Sequence, residues 1–220
     1  MTTNNTEKHG PLDSGTSLRR KATSFPPDKG GLSDYTFDAE THTHYIGGYP
    51  VEGVTTVLRD LIPGYAAAEW HLQRGAAVHA CAAMIGQCIE FENDPQIDGQ
   101  VTALRKFHSE PSLEVEAVEL PVWSTLYRYA GIADLIAKLN GKRLIIDFKA
   151  SMSAADPYQL AAYALLTKPE IKVGVVVEIH ADGTYRIGEQ YDLKRYKNEW
   201  LSLLTAYRVR RKCKVKGIDA

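Results

Sequence analysis

The dipeptide Asn140-Gly141, set between two long runs of apolar residues, constrains this chain more than any other feature. Asn-Gly is the strongest short signal for a two-residue type I′ turn, since both central residues there take positive φ. The turn sets the register of its two arms, so that directly opposed residues have numbers adding to 281. One face of the hairpin then carries Ala133, Leu135, Ala137, Leu144, Ile146 and Phe148, and it must be core. The other face sets Asp134 opposite Asp147, with Ile132, Ile136, Ile145 and Lys149 on the same side. Opposed Cβ atoms lie about 4.5–5.5 Å apart, where like charges are destabilising. Two facing carboxylates therefore give a fold nothing by themselves. A divalent cation between them turns repulsion into binding, and oxygen donors favour Mg²⁺ or Mn²⁺. Lys149 would aim an ammonium at the same place. The alternative is a surface hairpin with solvated charges, against which the isoleucines flanking both aspartates argue.

The remaining punctuation predicts a layered domain. Residues 1–32 are polar and read as a disordered leader. Order is expected from Tyr35, with a hairpin turning at Gly47-Gly48 and a short helix capped by Thr55 or Thr56 and ended by Pro63-Gly64. A longer helix is predicted over 66–89, and three strands over 113–148 with breaks near Ser124-Thr125 and Asn140-Gly141. Asp156-Pro157 predicts an N-cap and first helical residue, with the helix stopping before Pro169. A hairpin over 172–187 turns at Asp182-Gly183, and an amphipathic helix runs from Leu193 to about Lys212. The expected fold class is α/β (α+β), one domain over 33–207 followed by a basic tail, 208–220.

Composition removes several functional classes. With 44% hydrophobic residues the chain can build a core, which excludes a wholly disordered or fibrous protein. Its longest apolar runs, such as 173–177, fall far short of the ~18 residues of a membrane span, and no secretory signal is visible. Three cysteines, Cys81, Cys88 and Cys213, without paired-thiol spacing argue against a disulfide framework or an iron–sulfur cluster and fit a reducing cytoplasm. The net charge of −1 is unevenly spread: from Lys194 onward nine basic residues face two acidic ones. Arg208, Arg210, Arg211 and Lys212 can form a phosphate-binding arm or a solvated helix end whose charges suit the dipole.

Two helices fit the carboxylate face. Gln159 and Tyr163, four apart, share one side of theirs. On the earlier helix Gly75, Ala82, Ala83 and Gly86 surround His79 and permit close packing. Each of these has a plainer reading: His79 as a buried, hydrogen-bonded histidine, Gln159 as a cap and Tyr163 as a core anchor. His42 and His44 stand at a strand spacing that could hold a metal, though a partly exposed strand explains it better. Trp70 and Tyr65 beside Arg74 can stack bases and hold phosphates, or simply pack.

In order along the chain, Arg74-Gly75-x-x-x-His79, Gly131-x-x-Asp134, Asp147-Phe148-Lys149 and Gln159-x-x-x-Tyr163 closely resemble the RecB-like branch of the PD-(D/E)XK nuclease superfamily, including phage-encoded and mitochondrial genome-maintenance exonucleases. The resemblance spans about residues 45–205. It implies a restriction-endonuclease-like core, a central mixed β-sheet flanked by helices, and Mg²⁺-dependent cleavage of DNA phosphodiesters to leave 5′-phosphates. It makes Asp134 and Asp147 metal ligands, with His79 and the Phe148 carbonyl completing the shell. Lys149 would polarise the attacking water, and Gln159 and Tyr163 would position the phosphate. The family usually has a glutamate on the preceding strand. Strand parity selects Glu119, grouped with Val115 and Ala117, over Glu114 and Glu116. Ala133 stands where proline is usual, and the cysteine quartet of iron–sulfur relatives is missing.

The expected activity is therefore a metal-dependent exonuclease acting on DNA with a free end, in a bacterial or phage-infected cell, alone or with a single-strand annealing or recombination protein. A structure-specific endonuclease, and a catalytically idle DNA-end-binding protein, are the competing readings. The retention of Asp134, Asp147 and Lys149 favours an enzyme.

Overall fold

A computed structural model describes residues 35–62 and 69–215, with side chains for 35–62 and 73–213. The leader, the Pro63-Gly64 stop, Tyr65 and the Trp70 side chain lie outside the described residues. The elements are β1 (Tyr35–Asp38), β2 (Thr43–Ile46), β3 (Tyr49–Gly53), α1 (Val54–Leu61), α2 (Glu69–Gly86), α3 (Asp98–His108), β4 (Leu113–Ser124), β5 (Tyr129–Leu139), β6 (Lys142–Lys149), α4 (Asp156–Ala164), β7 (Val173–Ile179), β8 (Tyr185–Ile187), β9 (Tyr191–Asp192) and α5 (Leu193–Val215).

The described strands form one mixed sheet in the order β1-β2-β3-β5-β6-β7-β8, with β4 also paired to β5 and β9 to β7. Pairing is parallel for β3–β5 and β6–β7 and antiparallel elsewhere. Helices α1, α4 and α5 cover one face around Leu58, Ile136, Ile145, Leu160, Val176 and Trp200. Helices α2 and α3 cover the other around Val101, Leu104, Phe107, Leu135, Ile146 and Val177. This is the central mixed sheet flanked by helices that was expected. Both faces are core, which is why Ile136 and Ile145 are buried, while Ile132 is half-buried.

The Asn140-Gly141 turn forms as predicted, with φ of 52° and 73°, and the register runs from Leu139↔Lys142 to Leu135↔Ile146. Gly47 and Gly48 turn the β2–β3 hairpin in the same way, at φ 59° and 78°. Several boundaries differ. The N-cap of α1 is Gly53, not Thr55 or Thr56, because β3 runs straight into the helix where a Cβ would stand 3.2 Å from the His44 ring. Ala155 occupies the N-cap position of α4, while Asp156 turns its carboxylate back to Ser153 N and Oγ at 2.6 and 2.7 Å. Cys88 is exposed and lies beyond the end of α2, not on a buried helix face. Helix α3 stands within 90–112, a stretch for which no element is expected from the sequence. Its signals are the Asp94 side chain accepting from Gln96 N, Pro95, and the stripe Ile97, Val101, Leu104, Phe107.

The boundary expected at 207/208 falls inside α5. Arg208 donates to Glu52 Oε2 and to the carbonyls of Tyr127 and Arg128, at 2.7, 2.7 and 2.9 Å. Arg210 donates to the Asp60 carbonyl at 2.8 Å and so caps the end of α1. These arginines clasp α5 to α1, β3 and the β4–β5 turn.

Candidate active site

Strand β5 changes neighbours along its length. Tyr129 and Ala130 pair with β3, whereas Leu135 to Leu139 pair with β6. Between the two stretches the sheet splits, and Asp134 stands in the split. Side-chain alternation also breaks there: Ala133 joins the core of Ile136, while Leu135 joins the opposite one. On β4, between Val118 and Leu120, which pair with Leu135 and Ala133, Glu119 takes a left-handed φ of 48°. A non-glycine residue in that region costs about 1–3 kcal/mol, so the surrounding structure holds it there.

The ladder therefore stops one step before the expected Asp134–Asp147 pair. In its place Phe148 N donates to Asp134 Oδ2 at 2.9 Å. His79, from α2, brings Nδ1 to 3.2 Å from the same oxygen. The ligating atoms of His79, Glu119 and Asp134 all lie within 4.8 Å of one another. An imidazole and two carboxylates are a donor set for a divalent cation. Glu114 and Glu116 point elsewhere, paired with Lys138 and Arg143 at 3.2 and 2.6 Å. The grouping of Glu119 with Val115 does not survive, because a bulge separates Val115 from Ala117 and leaves Val115 exposed.

Asp147, on β6, is hydrogen-bonded from α4. Gln159 Nε2 donates to Oδ1 at 2.8 Å and to Tyr163 Oη at 3.3 Å. Lys149 Nζ donates to Gln159 Oε1 at 3.1 Å and lies 2.9 Å from Asp147 Oδ2. That ion pair is off the hydrogen-bonding directions, leaving the buried Oδ2 with no hydrogen bond. Tyr163 fits because of Gly131: a Cβ there would stand 2.3 Å from Tyr163 Cε1.

The charges are set unequally. Burial, and then the Asp134 charge, push the Asp147 carboxyl up to about 6 against the pull of Lys149. Burial also works to raise Asp134, but His79, Lys149 and the Phe148 amide outweigh it and hold that carboxyl below the usual range. Burial opposes a charge on His79, yet Asp134 pushes the imidazole up to about 9.

The loop from β6 to α4 is tied at both ends. Glu178, beside Lys149 in the β6–β7 register, accepts from Met152 N at 2.8 Å and from Arg186 Nε at 2.7 Å. The Ser153–Asp156 bonds tie the other end. Nothing in the sequence pattern marks Glu178, whose Arg186 partner is brought to it by the β7–β8 pairing.

Other expected residues are spread out. Arg74 is half-buried on α2 and engaged within the protein. Arg211 stacks on Tyr207, with Cζ 5.7 Å from the ring centroid, and Lys212 is exposed. His44 is buried, with Nδ1 2.9 Å from Tyr35 Oη, while His42 packs edge-on against Phe37, so the two form no joint site.

No family model matches the chain, and no curated protein matches it. Among solved structures, the chain is similar to the crystal structure of LHK-Exo in complex with dAMP, with TM-score 0.45 and 11% identity, over 76% of this chain and 91% of that one. Among the described residues no helix is long and apolar enough to cross a membrane.

Proposed function

We propose that this chain is a metal-dependent DNA nuclease of the RecB-like PD-(D/E)XK type, acting as an exonuclease. The observation that carries the reading is the convergence of His79, Glu119 and Asp134 to within 4.8 Å at the split in the sheet, beside Asp147 and Lys149. The donor set fits Mg²⁺ or Mn²⁺, and the buried, incompletely bonded Oδ2 of Asp147 fits a further ligand close by. Asp134, Asp147, Glu119 and His79, with the Phe148 carbonyl, would hold the cation. When bound, the cation supplies charge neutralisation at the phosphate oxygens and a bound water of lowered pKa.

The protein's own groups do the rest. Lys149, fixed by Gln159 and Asp147, orients the attacking water and offers positive charge to the phosphate as negative charge builds. Gln159 and Tyr163 keep Lys149 and the scissile phosphate in line. Attack at phosphorus expels the 3′-oxygen, leaving a 5′-phosphate. DNA with a free end is the substrate, and a recombination or single-strand annealing protein is a fitting partner.

The deciding experiment incubates the purified chain, in Mg²⁺ and in EDTA, with end-labelled single-stranded, duplex and closed circular DNA. Mg²⁺-dependent release of nucleotides from ends, with circles intact, is expected. Cutting of circles would make it an endonuclease, and binding of ends without cleavage in any divalent metal would make it an idle end-binding protein.

A further inference from the structure

The basic residues of α5 divide into two kinds. Arg208 and Arg210 meet carboxylates, Glu52 at 2.7 Å and Asp60 at 3.5 Å, and hold the helix down. Among the described residues Arg211 meets none: its guanidinium lies over the Tyr207 ring and donates to Tyr207 Oη at 3.3 Å. It faces a cavity of about 340 Å³ between α1 and α5, lined by Thr56, Arg59, Asp60, Tyr207 and Arg211. Thr56, Arg59 and Asp60 reach it together because residues three and four apart share a helix face. Arg59 is exposed on that wall. Among the described lining residues, two guanidiniums, of Arg59 and Arg211, stand against one carboxylate, Asp60, which Arg210 also approaches at 3.5 Å, so the cavity carries net positive charge.

We propose that this cavity is a phosphate-binding subsite, in which Arg59 and Arg211 together hold one phosphate of the nucleic-acid strand. The inference rests on the nuclease reading. Planar guanidiniums from two elements suit a phosphate, which takes two parallel N–H···O bonds from each. The Tyr207 face holds Arg211 in place and reduces the side-chain freedom lost on binding.

The location fits a strand that also occupies the candidate site. Val54, the first residue of α1, lies 3.3 Å from where a Gly131 Cβ would be, the same point that Tyr163 approaches. Helix α1 thus starts beside the site and carries Arg59 five residues along, about 7.5 Å at 1.5 Å per residue. That is about two nucleotides at 3.4 Å of rise each.

The test uses the full chain in EDTA, where binding is read without cleavage, and a fluorescent 12-nucleotide single strand in 5′-phosphate and 5′-hydroxyl forms. Kd is measured from 50 to 300 mM salt for wild type, Arg59→Gln, Arg211→Gln, the double variant, and Lys142→Gln as a charge control on the far end of the β5–β6 hairpin. The single variants are expected to weaken binding about tenfold. The double variant should lose little more than either, since both residues hold one phosphate, and should shallow the log K against log salt slope by about 0.7. Lys142→Gln should bind like wild type. An effect restricted to the 5′-phosphate form assigns the cavity to a terminal phosphate, and an equal effect on both assigns it to an internal one. A double variant that binds like Lys142→Gln overturns the inference while wild-type cleavage in Mg²⁺ leaves the nuclease reading standing. Wild type that neither binds nor cuts DNA overturns both.

Discussion

The backbone amide of Phe148 donates to Asp134 Oδ2 at 2.9 Å, where continued pairing would have taken that amide into a β-ladder. One carboxylate thus closes the gap left by the parting strands and presents its charge to His79. The second, Asp147, is held by Lys149 and Gln159. The two aspartates are neighbours in charge without being a face-to-face pair.

Asp147→Asn is expected to abolish DNA hydrolysis. In EDTA near pH 8 its thermal stability should equal or exceed that of wild type. The folded carboxyl titrates at about 6, above its unfolded value, so the ionised form costs stability at that pH. Mg²⁺ at a hundred times its Kd should stabilise wild type by about 2.7 kcal/mol and the variant much less. Thermal melts with and without Mg²⁺ decide it, and a variant markedly less stable in EDTA would make Asp147 a structural partner of Lys149.

Gly131→Ala drives a methyl into the Tyr163 ring, which is itself only 4% exposed. Overpacking of this kind costs about 1–3 kcal/mol. Cleavage should fall further than DNA affinity, because the displaced tyrosine shifts Gln159. Urea unfolding beside single-turnover rates checks both, and wild-type rates would separate Tyr163 from the chemistry.

Glu178→Ala leaves Met152 N and Arg186 without their acceptor. A loss of about 1–3 kcal/mol is expected from the orphaned groups. With the loop after Lys149 released, kcat should drop while the Kd for DNA in EDTA holds. Unchanged kcat would confine Glu178 to the fold.

Arg208→Ala should destabilise the protein by about 1–3 kcal/mol, since two carbonyls and Glu52 lose one shared donor group. Partial exposure screens the ion-pair share of that loss. The salt slope of DNA binding should match wild type, and a slope shallower by about one would return Arg208 to the phosphate contacts.

Burial holds both His44 and His108 down to about 4. Unfolded, each titrates near 6.5. Their contribution is complete above that pH and is lost as pH falls from about 6.5 towards 4, because the unfolded chain takes up the protons, at up to about 1.4 kcal/mol per pH unit for each. His108 packs against both Phe107 and Phe148. His108→Phe should therefore lose less stability than wild type between pH 7 and 5 in urea midpoints. Equal losses would show that His108 contributes none of the acid sensitivity.

The sequence by itself determined the β5–β6 hairpin and its register, because Asn140-Gly141 admits a single tight turn and alternation then assigns the faces. It also carried the four-part order from His79 to Tyr163, whereas the strand parity that selected Glu119 fails at the bulge. What it could not carry was the break in alternation at Asp134, the bulge between Val115 and Ala117, and the left-handed Glu119, all of which violate the periodicity such reasoning depends on. Only the tertiary structure decided which arginines clasp carboxylates and which face a cavity, since Arg208 meets Glu52 across 156 positions of chain. Charge and spacing along α5 are local properties, whereas the partner that neutralises a charge comes from wherever the fold brings one.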